Sequence, residues 1–284
     1  MGLRNGERGS SGVYYLGSPL TGHYVPVVTG VPADGRPLQL SGSAAPGAVV
    51  TLTGVRMRGR DRRDAPADGI SLHIPAGQSV ALYDGADRLA IGLLDVVAGL
   101  RRPRSGQLSV DGVAVHQLSG AALERYRGDR GLLSGRFPLL SSLSVSDNVL
   151  TALRTRRTDA AARDRAAELL VIAGAAHLAA REVDSLSPEE QWRVLIARAL
   201  LATPRLMLAE DPSPDLDARG SRRVLDLLMD AHARFGFTLL LATSRLATTV
   251  RCDRVVSLVD GLVATDEFCG DDDEWTRGRI DRIG

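Results

Sequence analysis

Lysine is absent from this 284-residue chain, in which all 35 basic side chains are arginine. The absence excludes any chemistry that needs a lysine amine. A general bias toward arginine over lysine would by itself also explain why lysine is missing. Aromatic residues make up only 4% of the chain, so we expect a core of leucine, valine, alanine and isoleucine. Because 34 acidic residues balance the arginines, the net charge of +1 gives no electrostatic basis for binding nucleic acid or anionic lipid.

Cysteine is also scarce. Cys252 and Cys269 are the only two, and no cysteine and histidine cluster has the spacing of metal ligands. We expect both thiols to be reduced. No N-terminal segment has the apolar stretch of a secretory signal, and no apolar run approaches the roughly 18–20 residues that cross a bilayer. These absences predict a cytoplasmic protein that reaches a membrane only through a partner.

Composition predicts three parts. Residues 1–47 are rich in glycine, serine and proline and lack periodicity, which predicts a mobile arm. Residues 48–266 carry the patterns of strands and helices and are predicted to form one domain. Residues 267–284 are predicted to form an acidic, solvated tail.

Strand and helix patterns alternate through the middle part. The segments SVALY (79–83), RLMLA (205–209) and FTLLLAT (237–243) have the apolar character of buried strands. Helical patterns stand between them, which indicates a parallel α/β sheet. In GQLSVDGVAV (106–115), the Asp-Gly pair predicts a hairpin turn, and the patterns of residues 146–180 predict helices.

Four stretches resemble, in order and spacing, the nucleotide-binding subunit of ATP-binding-cassette (ABC) transporters, above all the subunits that pair with exporter or lipoprotein-release permeases. They are IPAGQSVALYDGADRLAIGLLDVVAGLRRPRSGQLSVDGVAV, RFPLLSSLSVSDNV, DSLSPEEQWRVLIARALLATPRLMLAEDPSPDLD and LLLATSRLATTVRCDRVVSLVDGLV. The resemblance implies an α/β fold of the P-loop NTPase type. Its parts are a parallel sheet core, a small antiparallel β subdomain and a helical subdomain at about residues 136–190.

The P-loop of this family has the pattern G-x-x-x-x-G-K-[ST], in which backbone amides wrap the phosphates, the lysine reaches the β- and γ-phosphates and the hydroxyl holds Mg²⁺. In an alignment without gaps, Ala90 falls on the lysine and Ile91 on the metal-binding hydroxyl. Asp84 and Leu89 fall on glycines. The P-loop-equivalent candidates are Asp84, Gly85, Asp87, Arg88, Ala90, Ile91 and Gly92.

The charge of this loop also opposes phosphate binding. Asp84 and Asp87 bring carboxylates to the place where the family binds phosphates. At a distance of ~4 Å and an effective dielectric constant near ~20, each like-charge contact costs about 4 kcal/mol. Arg88 offsets one such contact if its side chain points inward.

The other nucleotide positions depart from the family as well. Glu210 and Asp211 reverse the usual Asp-Glu order of the Walker B motif, which supplies the catalytic base. Gly135 stands at the Q-loop glutamine and Ser244 at the switch histidine. The adenine-stacking aromatic falls near Arg58 or Gly59, neither of which offers an aromatic face.

The signature motif LSGGQ is replaced by Leu186-Ser187-Pro188-Glu189-Glu190. In the family this motif faces a phosphate that the opposite subunit binds, whereas here it combines a proline with two carboxylates. The same five residues suit the start of a helix. Ser187 is predicted as its N-cap, Pro188 as its first residue and Glu190 as the partner in a capping box.

Three hypotheses follow. The first is a pseudo-ATPase that binds no cofactor and acts as a scaffold or regulator on an integral membrane permease. The second is a working ATPase with a divergent site for ATP and Mg²⁺, alone or in a homo- or heterodimer with another ABC subunit. The third is a soluble interaction module. In the first, the segment that resembles the family's permease contact supplies the partner-binding residues, namely Arg136, Phe137, Leu139, Leu140, Leu143 and Val145.

Overall fold

The computed structural model describes residues 14–17, 24–27, 47–57, 69–85, 88–153 and 158–269. The chain divides into two units, residues 1–43 and 44–284. In the first unit, β1 (Tyr14–Gly17) and β2 (Tyr24–Val27) pair in antiparallel fashion. The predicted arm at residues 1–47 did not include these strands, although tyrosine and valine favour the extended backbone.

The second unit contains ten strands and seven α-helices in its described residues. In chain order these are β3 (Val50–Arg56), β4 (Ile70–Ile74), β5 (Ser79–Tyr83), α1 (Leu89–Val97), β6 (Ser105–Val110), β7 (Val113–Ala114), α2 (Gly120–Gly128), β8 (Gly131–Leu133), α3 (Val145–Leu150), α4 (Ala160–Ile172), α5 (Pro188–Leu201), β9 (Leu206–Glu210), α6 (Ala218–Phe235), β10 (Thr238–Thr243), α7 (Leu246–Thr249), β11 (Arg254–Val259) and β12 (Leu262–Phe268).

The central sheet has six strands in the order β12-β11-β5-β10-β9-β8. The strands from β11 to β8 are parallel, and β12 joins the edge as the antiparallel partner of β11. The predicted parallel α/β sheet is confirmed, with β5, β9 and β10 at the expected segments. Strand β8 was not predicted, because three residues are too few to carry a periodic pattern.

The smaller sheet has the order β4-β3-β6-β7, and all its pairs are antiparallel. Its hairpin turn lies at Asp111 and Gly112, whose φ angles are 51° and 77°. Both angles are in the left-handed region that a tight two-residue hairpin requires. The predicted Asp-Gly turn and the antiparallel β subdomain are therefore confirmed.

Helices α3, α4 and α5 form the helical region, and their buried faces share a hydrophobic cluster with β9, β10 and α6. The predicted range 136–190 contains α3 and α4, but α5 continues to Leu201. The predicted tail began too early, because Glu267 and Phe268 pair with β11 as the end of β12. No helix in the described part of the chain has the length and apolar character to cross a membrane.

Candidate functional site

The first element of the site is the connection between β5 and α1. The side chain of Asp84 follows β5 and is buried, with 7% of the residue exposed. Its Oδ2 accepts a hydrogen bond from the backbone N–H of Ala90, in the first turn of α1, at 2.7 Å. The first N–H groups of a helix have no partner within the helix and carry partial positive charge. The Asp84 carboxylate therefore satisfies a donor that could otherwise bind an anion.

The side chains at the start of α1 are apolar. Ala90 is buried, and Ile91 is partly buried. Gly92 packs so closely that an added Cβ would lie 3.2 Å from the Sδ of Met57. Three of the predicted P-loop positions, Ala90, Ile91 and Gly92, thus lie at the helix start. The side chains of Ala90 and Ile91 are hydrocarbon.

Of the remaining P-loop candidates, Gly85 and Arg88 are exposed. Both line a cavity at the start of α1. The backbone of Arg88 adopts a left-handed conformation, with φ of 58°, immediately before α1. Asp87 lies outside the described residues, as do Arg58 and Gly59 at the predicted adenine position.

Arg136 connects two carboxylates that come from different elements. Its Nε donates to Oε1 of Glu210, at the end of β9, at 2.6 Å. Its Nη2 donates to Oδ1 of Asp95, in α1, at 2.8 Å, and its Nη1 lies 3.3 Å from Oδ2 of the same residue. These hydrogen bonds raise the pKa of Arg136, with the bond to Asp95 as the largest cause. The guanidinium group is therefore a fixed positive charge between the two acids.

Arg136 was predicted to bind a partner, and Asp95 was not among the predicted site residues. In the structure, the Arg136 guanidinium faces inward to the Walker B-like acid. A signal for Asp95 was present, because it is the only charged residue of the apolar helix LAIGLLDVV. A buried carboxylate in such a helix requires a partner.

A cavity of about 490 Å³ lies between the ends of β5, β9 and β10 and the start of α1, and Asp84, Arg136 and Glu210 are among the residues that line it. Its lining includes four carboxylates and two guanidinium groups, together with Gly135, Trp192 and Ser244. The charged residues are Asp84, Glu210, Asp211, Asp215, Arg88 and Arg136. With more acids than bases, the lining is unsuited to a polyphosphate.

Asp211, the second Walker B-like residue, is bound to the neighbouring strand end. Its Oδ2 accepts hydrogen bonds from the hydroxyl of Thr243 and, at 2.9 Å, from that of Thr248. Both threonines are buried. The carboxylate therefore joins β9 to β10 and α7, which is a structural task for a residue at a predicted catalytic position.

Gly135 and Ser244 are the residues predicted at the Q-loop glutamine and switch histidine positions. An added Cβ at Gly135 would lie 3.0 Å from Oδ2 of Asp215 and 3.8 Å from the ring of Trp192. A glutamine at this position therefore does not fit without movement of Asp215. Ser244 is exposed at the cavity wall.

The capping box predicted at the signature position is confirmed. The hydroxyl of Ser187 accepts from the backbone N–H of Glu190 at 3.3 Å, and the carboxylate of Glu190 accepts from the backbone N–H of Ser187 at 2.7 Å. Pro188 is the first residue of α5. The hydrogen bond from the Ser187 backbone is the main cause that lowers the pKa of Glu190.

Glu189 is also occupied by contacts within the chain. It accepts hydrogen bonds from Arg223 of α6 and, at 2.9 Å and 3.2 Å, from Arg193 one turn along α5. These arginines lower the pKa of Glu189 to about 2, and Arg223 makes the largest contribution. The carboxylate thus links α5 to α6.

The predicted partner-binding segment divides into exposed and buried residues. Phe137 and Leu140 are exposed by 38% and 50%, whereas Leu139 and Val145 are buried. Leu143 is intermediate. The prediction of direct partner contact is wrong for Leu139 and Val145, because these side chains complete the hydrophobic core under the loop.

The family's cofactor, Mg²⁺ with ATP, does not fit these residues. Asp84 already binds the first turn of α1, the side chain of Ile91 has no oxygen for a metal, and Glu210 is paired with Arg136. Among the described residues, no group of three or more His, Cys, Asp or Glu side chains is arranged to hold a metal ion.

Comparison with known proteins gives consistent results. The family model described as "ABC transporter" matches residues 91–214. The lipoprotein-releasing system ATP-binding protein LolD of Geobacter metallireducens is 36% identical over 202 residues, which cover 70% of this chain and 89% of that protein. The methionine import ATP-binding protein MetN 3 of Pectobacterium atrosepticum is 35% identical over 194 residues. That match covers 68% of this chain but only 57% of the relative.

Among solved structures, the fold is similar to that of the ATP-binding cassette MJ0796, seen as a dimer in a post-hydrolysis state bound to ADP and Pi. The TM-score is 0.69 with 25% sequence identity, over 78% of this chain and 100% of the cassette. The structure of cbiO1 from Clostridium perfringens, part of the ABC transporter complex cbiONQ, has a TM-score of 0.70 at 22% identity, over 82% of this chain and 93% of that chain. That second likeness concerns the fold alone.

Proposed function

The chain belongs to the family of ABC transporter ATP-binding subunits, and we propose that within this family it is a pseudo-ATPase. In this proposal the nucleotide site is degenerate at the Walker A, Q-loop, signature, Walker B and switch positions. The protein serves as a scaffold or regulator of an integral membrane permease. It acts in the cytoplasm, at the inner face of the membrane, through that partner.

The observation that carries this proposal is the hydrogen bond between the Asp84 carboxylate and the N–H of Ala90. In a working site, phosphate oxygens accept hydrogen bonds from the backbone N–H groups at the start of this helix. A phosphate brought to ~4 Å from the Asp84 carboxylate would meet a repulsion of about 4 kcal/mol at an effective dielectric constant near ~20. The apolar side chains of Ala90 and Ile91 provide no compensating charge or metal ligand.

The Walker B-like acids support the same conclusion. Catalysis of hydrolysis needs a base within hydrogen-bond reach of the attacking water. Glu210 holds Arg136, and Asp211 holds the hydroxyls of Thr243 and Thr248. Each acid therefore has a structural partner in place of a metal ion or a water.

Two observations support a permease as the partner: the named relatives and the exposed apolar residues of one loop. The relatives named above are ATP-binding proteins of a lipoprotein-releasing system and of methionine import. Here, Phe137 and Leu140 are exposed on the loop that resembles the family's permease contact. Exposed apolar groups on an ordered loop suit a partner's helix.

A nucleotide titration tests the proposal. Purified full-length chain is mixed with up to millimolar ATP and Mg²⁺, and both calorimetry and thermal unfolding are followed. A functional LolD-type cassette serves as the positive control. A ligand present at about 100 times its Kd adds ~2.7 kcal/mol to stability, which a thermal shift detects readily. We expect no shift and no heat of binding. A micromolar Kd would favour the second hypothesis, a working ATPase with a divergent site.

A further inference from the structure

The loop that carries Phe137 and Leu140 is tied to the helical region by polar contacts. Asn148 of α3 is fully buried; it accepts from the N–H of Leu140 at 2.6 Å and donates to the carbonyls of Leu140, Leu143 and Ser144 at 3.0–3.2 Å. Arg198 of α5 donates to the carbonyls of Phe137 and Pro138. These bonds fix the helical side of the loop.

Arg136 provides the connection on the other side, toward the sheet. It belongs to the same loop, next to Phe137, and its guanidinium group contacts Glu210 at the end of β9 and Asp95 in α1. The two acidic side chains are only 13% and 9% exposed. A carboxylate this deeply buried is destabilising when a cation partner is removed. Asp95 keeps a longer contact with Arg101, at 3.8 Å, so the loss of Arg136 falls mainly on Glu210.

We propose that Arg136 is an internal cation at Glu210, the first of the two Walker B-like acids, and that it holds the partner-facing loop in place without nucleotide. The inference rests on the proposed function, because a bound Mg·ATP would compete for Glu210. Arginine suits the task because its planar fork serves two acids at once. The docking surface formed by Phe137 and Leu140 is then permanently presented, and its position does not depend on a hydrolysis cycle.

Hydrogen exchange on the full-length chain, in the absence of nucleotide, tests this inference. Arg136→Ala removes the cation, and Arg88→Gln, which neutralises an exposed arginine on the wall of the same cavity, is the matched control. We expect backbone amides of residues 134–144 to exchange at least about tenfold faster in Arg136→Ala, because the mostly buried carboxylates of Glu210 and Asp95 lose a cation partner and the loop loses its contact with the sheet. Arg88→Gln should match the wild type.

Chemical rescue separates a cationic role from simple packing. Methylguanidinium, added to Arg136→Ala at tens of millimolar, is expected to restore protection of residues 134–144, whereas the same concentration of sodium chloride is not. Equal exchange in Arg136→Ala and Arg88→Gln would overturn the inference. Faster exchange that methylguanidinium leaves unchanged would overturn it too, since the side chain would then act by its volume.

A second variant covers the case in which Arg136→Ala does not fold. Glu210→Gln keeps the shape of the side chain and removes one of the two charges that Arg136 contacts. Faster exchange in the same segment supports the inference, and unchanged exchange contradicts it. Failure of the proposed function is a separate result, because it is detected by nucleotide binding to the wild-type chain, whereas these measurements contain no nucleotide.

Discussion

The carboxylate of Asp84 accepts a hydrogen bond from the backbone N–H of Ala90 at 2.7 Å, in the first turn of α1. In the family's P-loop, the backbone amides at this place face the phosphate. The bond is internal to the chain and buried. The carboxylate therefore stabilises the helix that follows it. In the proposed pseudo-ATPase the same negative charge opposes phosphate, so that stability and nucleotide binding make opposite demands on this residue.

Asp84→Gly, which places the family's glycine at this position, is accordingly expected to destabilise the protein. The N–H of Ala90 loses its acceptor in a buried setting, at a cost of about 1–3 kcal/mol. Urea unfolding measures the change. Asp84→Asn is the matched control, because it keeps a side-chain oxygen as acceptor and should lose less. Neither variant should bind ATP, since Ala90 and Ile91 remain, and a gain of binding in Asp84→Gly would show that the carboxylate alone blocks the site.

Restoring the usual order of the Walker B acids, with Glu210→Asp and Asp211→Glu together, should not produce ATPase activity. The start of α1 still lacks a phosphate-binding side chain, and the shorter residue 210 reaches Arg136 less well. We expect instead a lower unfolding midpoint, because the new residue 211 no longer fits the hydroxyls of Thr243 and Thr248. Phosphate release by the double variant above the no-enzyme background would contradict this prediction. Release by the wild-type chain that Asp211→Asn abolishes would contradict it as well.

Ser187→Ala tests the capping box at the signature position. Loss of an N-cap side chain typically costs about 0.5–2 kcal/mol, and we expect a decrease in unfolding free energy within that range. Ser185, two residues earlier, offers a control: its hydroxyl donates to the carbonyl of Glu182 in a single turn. Ser185→Ala should therefore have the smaller effect. If Ser187→Ala unfolds at the wild-type midpoint, the serine has a role other than capping.

Acid should weaken the connection between α5 and α6. The arginine partners lower the pKa of Glu189 from its ordinary value of 4.5 to about 2. A carboxyl group whose pKa is depressed in the folded state stabilises the fold above its unfolded pKa, and this contribution disappears as the pH falls toward the folded pKa. The stability difference between wild type and Glu189→Gln should thus be constant above about pH 5 and shrink between pH 4.5 and 2. Urea titrations at several pH values measure it, and a difference that does not depend on pH would contradict the ion pair.

Local sequence signals were sufficient for much of the fold. The buried strands were recognisable from short apolar runs, the hairpin turn from Asp111-Gly112, and the start of α5 from Ser187 and Glu190. For the hairpin turn and the helix start, the determining contacts lie within a few residues of one another. The buried strands pair with distant segments, but the apolar run of each is contained within five or six residues. By contrast, β8 and the pair β1 and β2 are too short to give a periodic pattern.

The internal contacts of the site were not predictable in this way. Asp95, Arg136 and Glu210 are separated by 41 and 74 positions, and only the folded sheet brings them together. The sequence placed Ala90 and Ile91 at the start of the predicted helix. It did not show that Asp84 binds the N–H of Ala90 or that Arg136 binds Asp95 and Glu210, because the direction of each side chain depends on its packing.

The exposed apolar pair on the loop leads to the last prediction. Phe137→Asp and Leu140→Asp should each abolish co-purification with the membrane permease encoded nearest to this chain, because a charge on this surface has to be desolvated when a partner's helix docks. The fold should persist, since both side chains are exposed and the polar contacts of the loop are made by Arg136, Arg198 and Asn148. Thermal unfolding of each variant checks this point.

Val171→Asp is the control for that experiment, because Val171 is an apolar residue of α4, exposed by 44% and outside the loop. It should co-purify as the wild type does. If Phe137→Asp and Leu140→Asp still co-purify, the loop is not the permease contact. If the wild-type chain itself does not co-purify with a permease, the soluble interaction module becomes the better hypothesis, since the degenerate site would then remain without a transporter to regulate.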